Sequence, residues 1–267
     1  MNRRAKISVR DVVFQQWGCW KRLFVHVSPM VGVLVLLSFL AFEVSVRTNA
    51  SLLANEGFQL TKADMILTSV SNEQLMGIIA SICVAGIVLL GESIMTRPQF
   101  ILAYQSRRRF LISQMTSAIG VGLIVGLSLF LIVVLISVSH ARFGINFLNK
   151  GSYFTAMTGV TQDVSMYMVM GIACVKITYL TCVISLMYVS LRWITNSPAV
   201  AAVLVLVFYA LVGSGKVPGL WLSPDLYYAL YVGIIPCNWL LIGVCVCLIA
   251  IAFLRINYID FLNSNKD

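Results

Sequence analysis

Residues 115–138 decide the fold: they read MTSAIGVGLIVGLSLFLIVVLISV and contain no charged side chain. An α-helix needs about 20 apolar residues to cross the hydrocarbon core of a bilayer, so this stretch predicts a membrane-spanning helix. Five further stretches meet or approach that length, at 23–42, 75–95, 168–191, 198–212 and 236–254. The sequence therefore predicts an all-α, polytopic membrane protein with six transmembrane helices.

The composition supports one membrane domain over residues 1–267 and no appended soluble domain. Hydrophobic residues make up 60% of the chain, charged residues only 11%, and the mean hydropathy is +0.92. A soluble domain needs about 25% charged residues to cover its surface, so most of this surface is expected to face the lipid bilayer. The seven cysteines form no CxxC pair, and no zinc-ligand spacing occurs, so no metal site is predicted.

The basic residues predict the topology. The net charge of +9 is concentrated in clusters beside the apolar runs, which favours a topological role over nucleic-acid binding. Thirteen Lys and Arg residues fall on one side of the six spans and five on the other. Because positive loops stay in the cytoplasm, both termini are predicted to be cytoplasmic. The run 23–42 is longer than the apolar part of a signal peptide, so it is expected to be a retained first span.

The segment before the first span is predicted to be an interfacial helix. Residues 1–22 carry an apolar stripe that includes Trp17 and Trp20, with basic residues beside it. Such a segment is well suited to the headgroup region of a membrane. The alternative is that it simply extends the first span.

The connection between the second and third spans is the most informative cytoplasmic feature. Pro is tolerated in the first turn of a helix, and the apolar residues that follow share one face, so a short amphipathic helix on the membrane surface is predicted. Its residues are Arg97, Pro98, Phe100, Ile101, Tyr104, Arg107, Arg108 and Arg109. The segment is either a docking site for a partner or, for the arginine triplet, a topological anchor.

The fifth span departs from a simple crossing. Residues 198–212 form a helix of about 22 Å, which is short of a core about 30 Å thick. A re-entrant hairpin before the last span is predicted from the residues that follow, namely Gly213, Gly215, Pro218, Gly219 and Pro224. The alternative is a thin, tilted helix followed by an ordinary loop.

Two features inside the spans concern packing and charge. The small residues Gly120, Gly122 and Gly126 give the third span a face for close helix packing, without identifying the partner. Lys176 is the one formal charge well inside an apolar run. It either snorkels outward, if the fourth span begins near Ala173, or lines a polar translocation path.

No catalytic motif is present, so the chain is predicted not to be an enzyme. The sequence contains no HExxH, GxSxG or P-loop motif, and Glu92 has no second intramembrane acid beside it. The chain therefore cannot hydrolyse ATP by itself, and it contains no cofactor site.

The order of the predicted segments along the chain resembles that of the type-2 ABC-transporter permeases, the six-span subunits of bacterial ABC exporters. The matching pieces are the interfacial segment, the long loop after the first span, the amphipathic segment 98–109 and the short fifth span with its hairpin. The stretch 105–111, QSRRRFL, is similar to a sequence often seen in that family. The resemblance implies that the segment 98–109 is a coupling helix that docks on a P-loop ATPase subunit.

The resemblance further implies an export permease in the bacterial plasma membrane that works with a second permease subunit. Its substrate would be hydrophobic or peptide-like, and the partner ATPase would bind ATP and Mg. Two rival functions remain open from the residues alone: a membrane immunity or sensor protein that acts without ATP, and an intramembrane enzyme. The enzyme is the weaker rival because it would need paired acids or histidines within the spans.

Overall fold

The computed structural model describes residues 9–95, 107–141, 152–159, 165–213 and 239–264. Within these ranges the regular structure consists of helices, and no strand occurs, so the predicted all-α fold is confirmed for this part of the chain. In chain order the helices are α1 (Val9–Asn55), α2 (Lys62–Ser71), α3 (Glu73–Met95), α4 (Arg107–His140), α5 (Tyr153–Thr158), α6 (Met166–Thr195), α7 (Pro198–Gly213) and α8 (Trp239–Ser264).

Four helical segments are long and apolar enough to cross a membrane. They are Pro29–Asn55, Arg107–His140, Met166–Thr195 and Trp239–Ile256. Helices α2 and α3 meet at a bend of 67° and together make a fifth candidate. Helix α7 has 16 residues, about 24 Å, and is shorter than a typical hydrocarbon core. The described residues thus contain four or five candidate spans by length and composition, where the sequence predicts six.

The outer surface of the bundle is apolar, as a membrane protein requires. On α4, Leu127, Leu131 and Leu135 are 49%, 58% and 66% exposed, and they recur every four residues along one face. Helix α1 carries a similar stripe, with Val33, Leu36, Leu37 and Leu40 each at least half exposed. Large apolar areas of this kind are unfavourable in water and favourable against lipid. The fold is therefore that expected of a multi-pass membrane protein.

Helices α4 and α6 are the pair with the most extensive contact, and the other helices are arranged around them. The start of α4 lies beside the end of α6, where Gln114 is hydrogen-bonded to Trp193, so the two helices are antiparallel. Helices α1 and α4 point the same way, because Glu43 near the end of the α1 span contacts His140 at the end of α4. Helix α6 therefore runs opposite to both α1 and α4.

The structure differs from the predicted division of the first segment. A single helix, α1, runs without a break from Val9 to Asn55, through the predicted boundary between the interfacial segment 1–22 and the first span. Its 47 residues correspond to about 70 Å, more than twice the thickness of the hydrocarbon core. The continuity matches the alternative in which the N-terminal segment extends the first span.

The predicted loop 43–74 is mostly helical. Helix α1 continues through Asn55, and α2 and the start of α3 fill the rest, so that only residues 56–61 and Asn72 lie outside helices. The pair Glu43 and Arg47, 3.3 Å apart and four residues apart in sequence, supports the end of α1. Helix α2 is held by burial, since Met65, Ile66 and Leu67 are at most 2% exposed.

Candidate functional site

The first candidate site is the arginine end of the bundle, which comprises the start of α4 and the end of α6. Arg107, Arg108 and Arg109 are exposed in the first turn of α4, and Phe110 after them is buried. The Phe110 ring meets the Trp193 ring edge-on, with centroids 6.1 Å apart. The Trp193 indole N–H donates to Gln114 Oε1 at 2.6 Å. These contacts fix the first two turns of α4 against the last turn of α6.

Most of the predicted coupling helix lies outside the described residues. This applies to Arg97, Pro98, Phe100, Ile101 and Tyr104. The three arginines are described, and they begin the long helix α4 itself, whereas the sequence assigned them to a surface helix ahead of a span at 115. The first turn of α4 therefore continues without interruption into the membrane-crossing part of the same helix.

The predicted hairpin before the last span is also largely outside the described residues. Gly213 is the last residue of α7. The remaining residues of the predicted hairpin, Gly215, Pro218, Gly219 and Pro224, fall in the range 214–238, which the structure does not describe.

The small-residue face of α4 lies directly against α6. A Cβ atom added at Gly122 would be 2.6 Å from the Cα atom of Cys182, and one added at Gly126 would be 2.7 Å from the Cα atom of Thr178. The Thr181 hydroxyl donates to the Gly122 carbonyl oxygen at 2.7 Å. Gly120 is half-buried nearby in the sequence. The partner of this face is thus another helix of the same chain, which the sequence alone does not identify.

Lys176 lies inside α6 and is only 6% exposed. Helix α6 begins at Met166, ahead of Ala173, and both interpretations of Lys176, snorkelling and a polar translocation path, stay predictions. Lys176 lies about 15 Å along the helix axis from Met166, the first residue of α6. Buried charges are usually paired or hydrogen-bonded, and Lys176 does have a partner in the structure.

The second candidate site is the cavity end, where the ends of α1 and α4 meet the connection from α1 to α2. A cavity of about 830 Å³ opens there. Its polar lining comprises Arg47, Ser51, Asn55, Gln59, Ser139 and His140. Glu43 Oε1 lies 3.3 Å from Arg47 Nη2 and 3.1 Å from His140 Nε2, so a single carboxylate oxygen contacts both basic side chains.

One wall of the cavity is held by a sharp turn. The Gly57 N–H donates to the Ala54 carbonyl, and the Phe58 N–H donates to the Leu53 carbonyl, which is the hydrogen-bond pattern of a Schellman motif. Gly57 has φ +89°, a left-handed conformation that a residue with a Cβ atom adopts only at a cost. Phe58 and Leu60, which follow this turn, both line the cavity.

The same wall is tied to the segment at 152–154 by a buried carboxylate. Asp64 Oδ2 accepts hydrogen bonds from the N–H and the hydroxyl of Thr61, at 3.1 and 2.8 Å. The Thr61 hydroxyl oxygen in turn accepts the Asp64 N–H, which completes a capping box at the start of α2. Asp64 Oδ1 accepts the Phe154 N–H at 3.0 Å, across 90 residues of sequence.

The sequence did not predict a site at the cavity end. One local signal was present, because Thr61 followed by Asp64 ahead of an apolar run is a capping-box pattern that predicts a helix start. The contacts of His140 and Phe154 carried no such signal, since both depend on segments that are distant in sequence and meet only in the folded bundle.

Among the described residues no group of three or more His, Cys, Asp or Glu side chains is arranged to hold a metal ion. The cysteines at positions 83, 174, 182, 245 and 247 have free thiols. Comparison with protein-family models, with curated proteins and with solved structures finds no match for this chain.

Proposed function

We propose that this chain is the permease subunit of an ATP-driven exporter in a bacterial plasma membrane, with six crossings and both termini in the cytoplasm. A separate P-loop ATPase would supply the energy and bind ATP and Mg. The transported substrate would be hydrophobic or peptide-like, and a second permease subunit, identical or similar, would complete the path.

The observation that supports this proposal best is the rigid arginine end. Residues 96–106 connect the end of α3 to Arg107, and Arg107 begins α4 directly. The first turns of α4 are fixed to α6 through Phe110, Gln114 and Trp193. Further along, Gly122 and Gly126 keep the two helices in contact at backbone distance. A force applied to the connection 96–106 would therefore move α4 and α6 together.

This coupling suggests how ATP could drive transport. Closure of the ATPase pair would push on the segment 97–109, and α4 with α6 would tilt as one body against the surrounding helices. The central path would then alternate between inward and outward access. Such a change drives export only if the substrate binds the two states with different free energies. The glycine face of α4 is already occupied by α6, so contact with a second permease would use other faces.

The first test is co-purification of the tagged chain with an ATPase from its native membrane. Phe100→Asp combined with Tyr104→Asp is expected to reduce ATPase capture on the order of 1,000-fold, because two apolar docking side chains at an interface centre contribute about 2 kcal/mol each and 1.4 kcal/mol corresponds to a factor of ten. The captured ATPase is quantified per amount of permease in the membrane fraction, which removes any effect on expression.

Tyr167→Asp is the matched control, since Tyr167 is 87% exposed at the start of α6, remote from the arginine end. This variant is expected to capture the ATPase as the unchanged chain does. If the double variant captures as much as the control, the docking role of Phe100 and Tyr104 is wrong. If cysteine labelling finds residues 96–110 on the outside of the cell, the exporter proposal fails altogether.

A second candidate is a membrane immunity or sensor protein that acts without ATP. The cavity of about 830 Å³ favours it, because a ligand site at the end remote from the arginines needs no ATPase to be useful. The co-purification experiment separates the two: a sensor captures no ATPase at any salt concentration or detergent strength.

A further inference from the structure

The cavity between the ends of α1 and α4 has the size of a small-molecule site. Its volume of about 830 Å³ lies within the range of about 300–1,000 Å³ that is usual for ligand pockets. The last turns of α1 present one face to it, because the lining residues there recur at three- and four-residue spacing: Arg47, Ala50, Ser51, Ala54 and Asn55. Three of these five side chains are alanine or serine, and their shortness leaves the space open.

The formal charges beside the cavity cancel. Of the described residues that line it, Arg47 is the only Lys, Arg, Asp or Glu, and its Nη2 lies 3.3 Å from Glu43 Oε1. An anion that approaches Arg47 meets the Glu43 carboxylate, and a cation that approaches Glu43 meets the Arg47 guanidinium. A charged ligand therefore gains one attraction and meets one repulsion, and it still loses part of its hydration. The cavity thus favours an uncharged ligand.

The hydrogen-bonding groups of His140 are already used by the chain itself. Its Nε2 lies 3.1 Å from Glu43 Oε1, and its Nδ1 lies 3.1 Å from both the Ile136 carbonyl oxygen and Ser139 Oγ. Both ring nitrogens thus have partners before a ligand arrives. The ring lines the cavity and leaves the hydrogen bonds of a ligand to other side chains.

The side chains that remain for a ligand provide both donors and acceptors. The Ser51 hydroxyl donates its hydrogen to the Thr48 carbonyl at 2.8 Å, so its oxygen can still accept a hydrogen bond. The exposed side chain of Asn55 has an NH₂ group and a carbonyl oxygen. The Arg47 guanidinium has five N–H donors, of which one contacts Glu43. A ligand amide, which has both a carbonyl oxygen and N–H, matches this mixed set.

The apolar part of the lining is formed in advance. It includes Phe58 and Leu60, and the Phe58 ring meets the Tyr153 ring edge-on with centroids 5.4 Å apart. The turn before Phe58 is fixed by the hydrogen bond from the Gly57 N–H to the Ala54 carbonyl. Because this wall is ordered before a ligand arrives, binding does not bear the entropic cost of ordering it.

We infer that this cavity binds an uncharged ligand that combines a compact apolar body with an amide group. The amide forms hydrogen bonds with Arg47, Ser51 and Asn55, and the apolar body packs against Ala54 and Phe58. The inference does not depend on the exporter proposal, because the cavity is built from this chain alone.

The first test compares three probes that share one apolar body: hydrocinnamamide, hydrocinnamate and phenylpropylammonium, which are neutral, anionic and cationic at pH 7. The purified full chain is placed in nanodiscs of phosphatidylcholine, and ligand-observed NMR gives each Kd after subtraction of the signal from empty nanodiscs. Hydrocinnamamide is expected to bind with a Kd on the order of 1 mM, and each charged probe about tenfold more weakly. The inference is overturned if either charged probe binds as tightly as hydrocinnamamide, or if hydrocinnamamide does not bind.

Two variants change the charge balance in opposite directions. Glu43→Gln leaves Arg47 uncompensated, so hydrocinnamate is expected to bind about tenfold more tightly than it binds the unchanged chain. Arg47→Gln leaves Glu43 uncompensated, and phenylpropylammonium is expected to gain by the same factor. Arg255→Gln removes a positive charge from α8, outside the cavity lining, and is the matched control with both Kd values unchanged. If Glu43→Gln and Arg255→Gln bind hydrocinnamate equally, the pair does not set the charge preference and the inference is wrong.

A bulky substitution locates the bound probe. Ala54→Trp is expected to abolish hydrocinnamamide binding, because the indole fills the space beside Phe58. Ala199→Trp adds the same ring at an exposed position near the start of α7, outside the lining, and is expected to bind normally. Equal Kd values for these two variants would show that the probe binds elsewhere. If thermal unfolding shows that Ala54→Trp is not folded, Asn55→Leu takes its place, with binding expected to weaken about fivefold and an unchanged Kd contradicting the inference.

Discussion

Replacing Gly122 and Gly126 together by alanine is expected to lower the thermal unfolding temperature on the order of 10 °C. Each new Cβ atom would lie 2.6–2.7 Å from a backbone Cα atom of α6, and backbone cannot rotate aside as a side chain can. Overpacking of this kind costs about 1–3 kcal/mol at each position. Separation of the helices would also break the hydrogen bond from Thr181 to the Gly122 carbonyl. Thermal unfolding of the purified chain in detergent measures the effect.

The chain provides matched controls for this prediction. Gly171 on α6 and Gly243 on α8 have open space where a Cβ atom would be added. Alanine there is expected to leave the unfolding temperature unchanged or slightly raised, because glycine within a helix is less favourable than alanine by about 0.5–1 kcal/mol. If the double variant unfolds at the same temperature as these controls, α4 and α6 do not approach at backbone distance in the membrane.

Asp64→Ala is expected to lower the free energy of unfolding by about 3–6 kcal/mol. The change removes the capping box of α2, usually about 1 kcal/mol, and leaves the N–H groups of Thr61 and Phe154 without their acceptor. An unpaired buried donor costs about 1–3 kcal/mol, and Asp64 is fully buried. Such a loss is a large part of the 5–15 kcal/mol typical of folded proteins. Chemical unfolding and protease cleavage within residues 152–158 both measure it.

Two further variants make this test specific. Glu56→Ala removes an exposed acid from the same connection and is expected to change stability by no more than about 0.5 kcal/mol. Asp64→Asn keeps the size and one acceptor oxygen but turns an NH₂ group toward a donor, so an intermediate loss is expected. Equal protease resistance of Asp64→Ala and Glu56→Ala at 152–158 would show that the carboxylate does not hold that segment.

The apolar helices of this fold could be predicted from the sequence, because the thickness of a bilayer sets the number of apolar residues that a membrane-crossing helix needs. The uncharged stretch 115–138 lies wholly inside α4, and the stretch 168–191 lies inside α6. Helix ends were less predictable. Arg107 begins α4 several residues ahead of the apolar run because a helix continues into the polar region wherever its backbone hydrogen bonds are not interrupted.

The helices within the predicted loop 43–74 could not be predicted from local sequence patterns, because they depend on contacts between segments that are distant in sequence. Helix α2 is buried against α4, where Ser69 and Ser137 have hydroxyl oxygens 3.2 Å apart. The pairing of Asp64 with Phe154 is equally remote in sequence. The glycine face of α4 was visible in the sequence, but whether it met α6 or another chain depended on the order of the helices in space. The cavity, bordered by α1 and α4, follows from that same order.

Pro29 lies inside the long first helix, which is continuous on both sides of it. If the 27 residues from Pro29 to Asn55 cross the bilayer, the 20 residues before them form a helical arm about 30 Å long that hydrocarbon cannot enclose. Proline has no amide hydrogen, so the carbonyl four residues earlier is left without its helical partner and the rod bends there most easily. A bend at Pro29 would lay these 20 residues along the lipid headgroups and leave the helical turns on both sides of it intact.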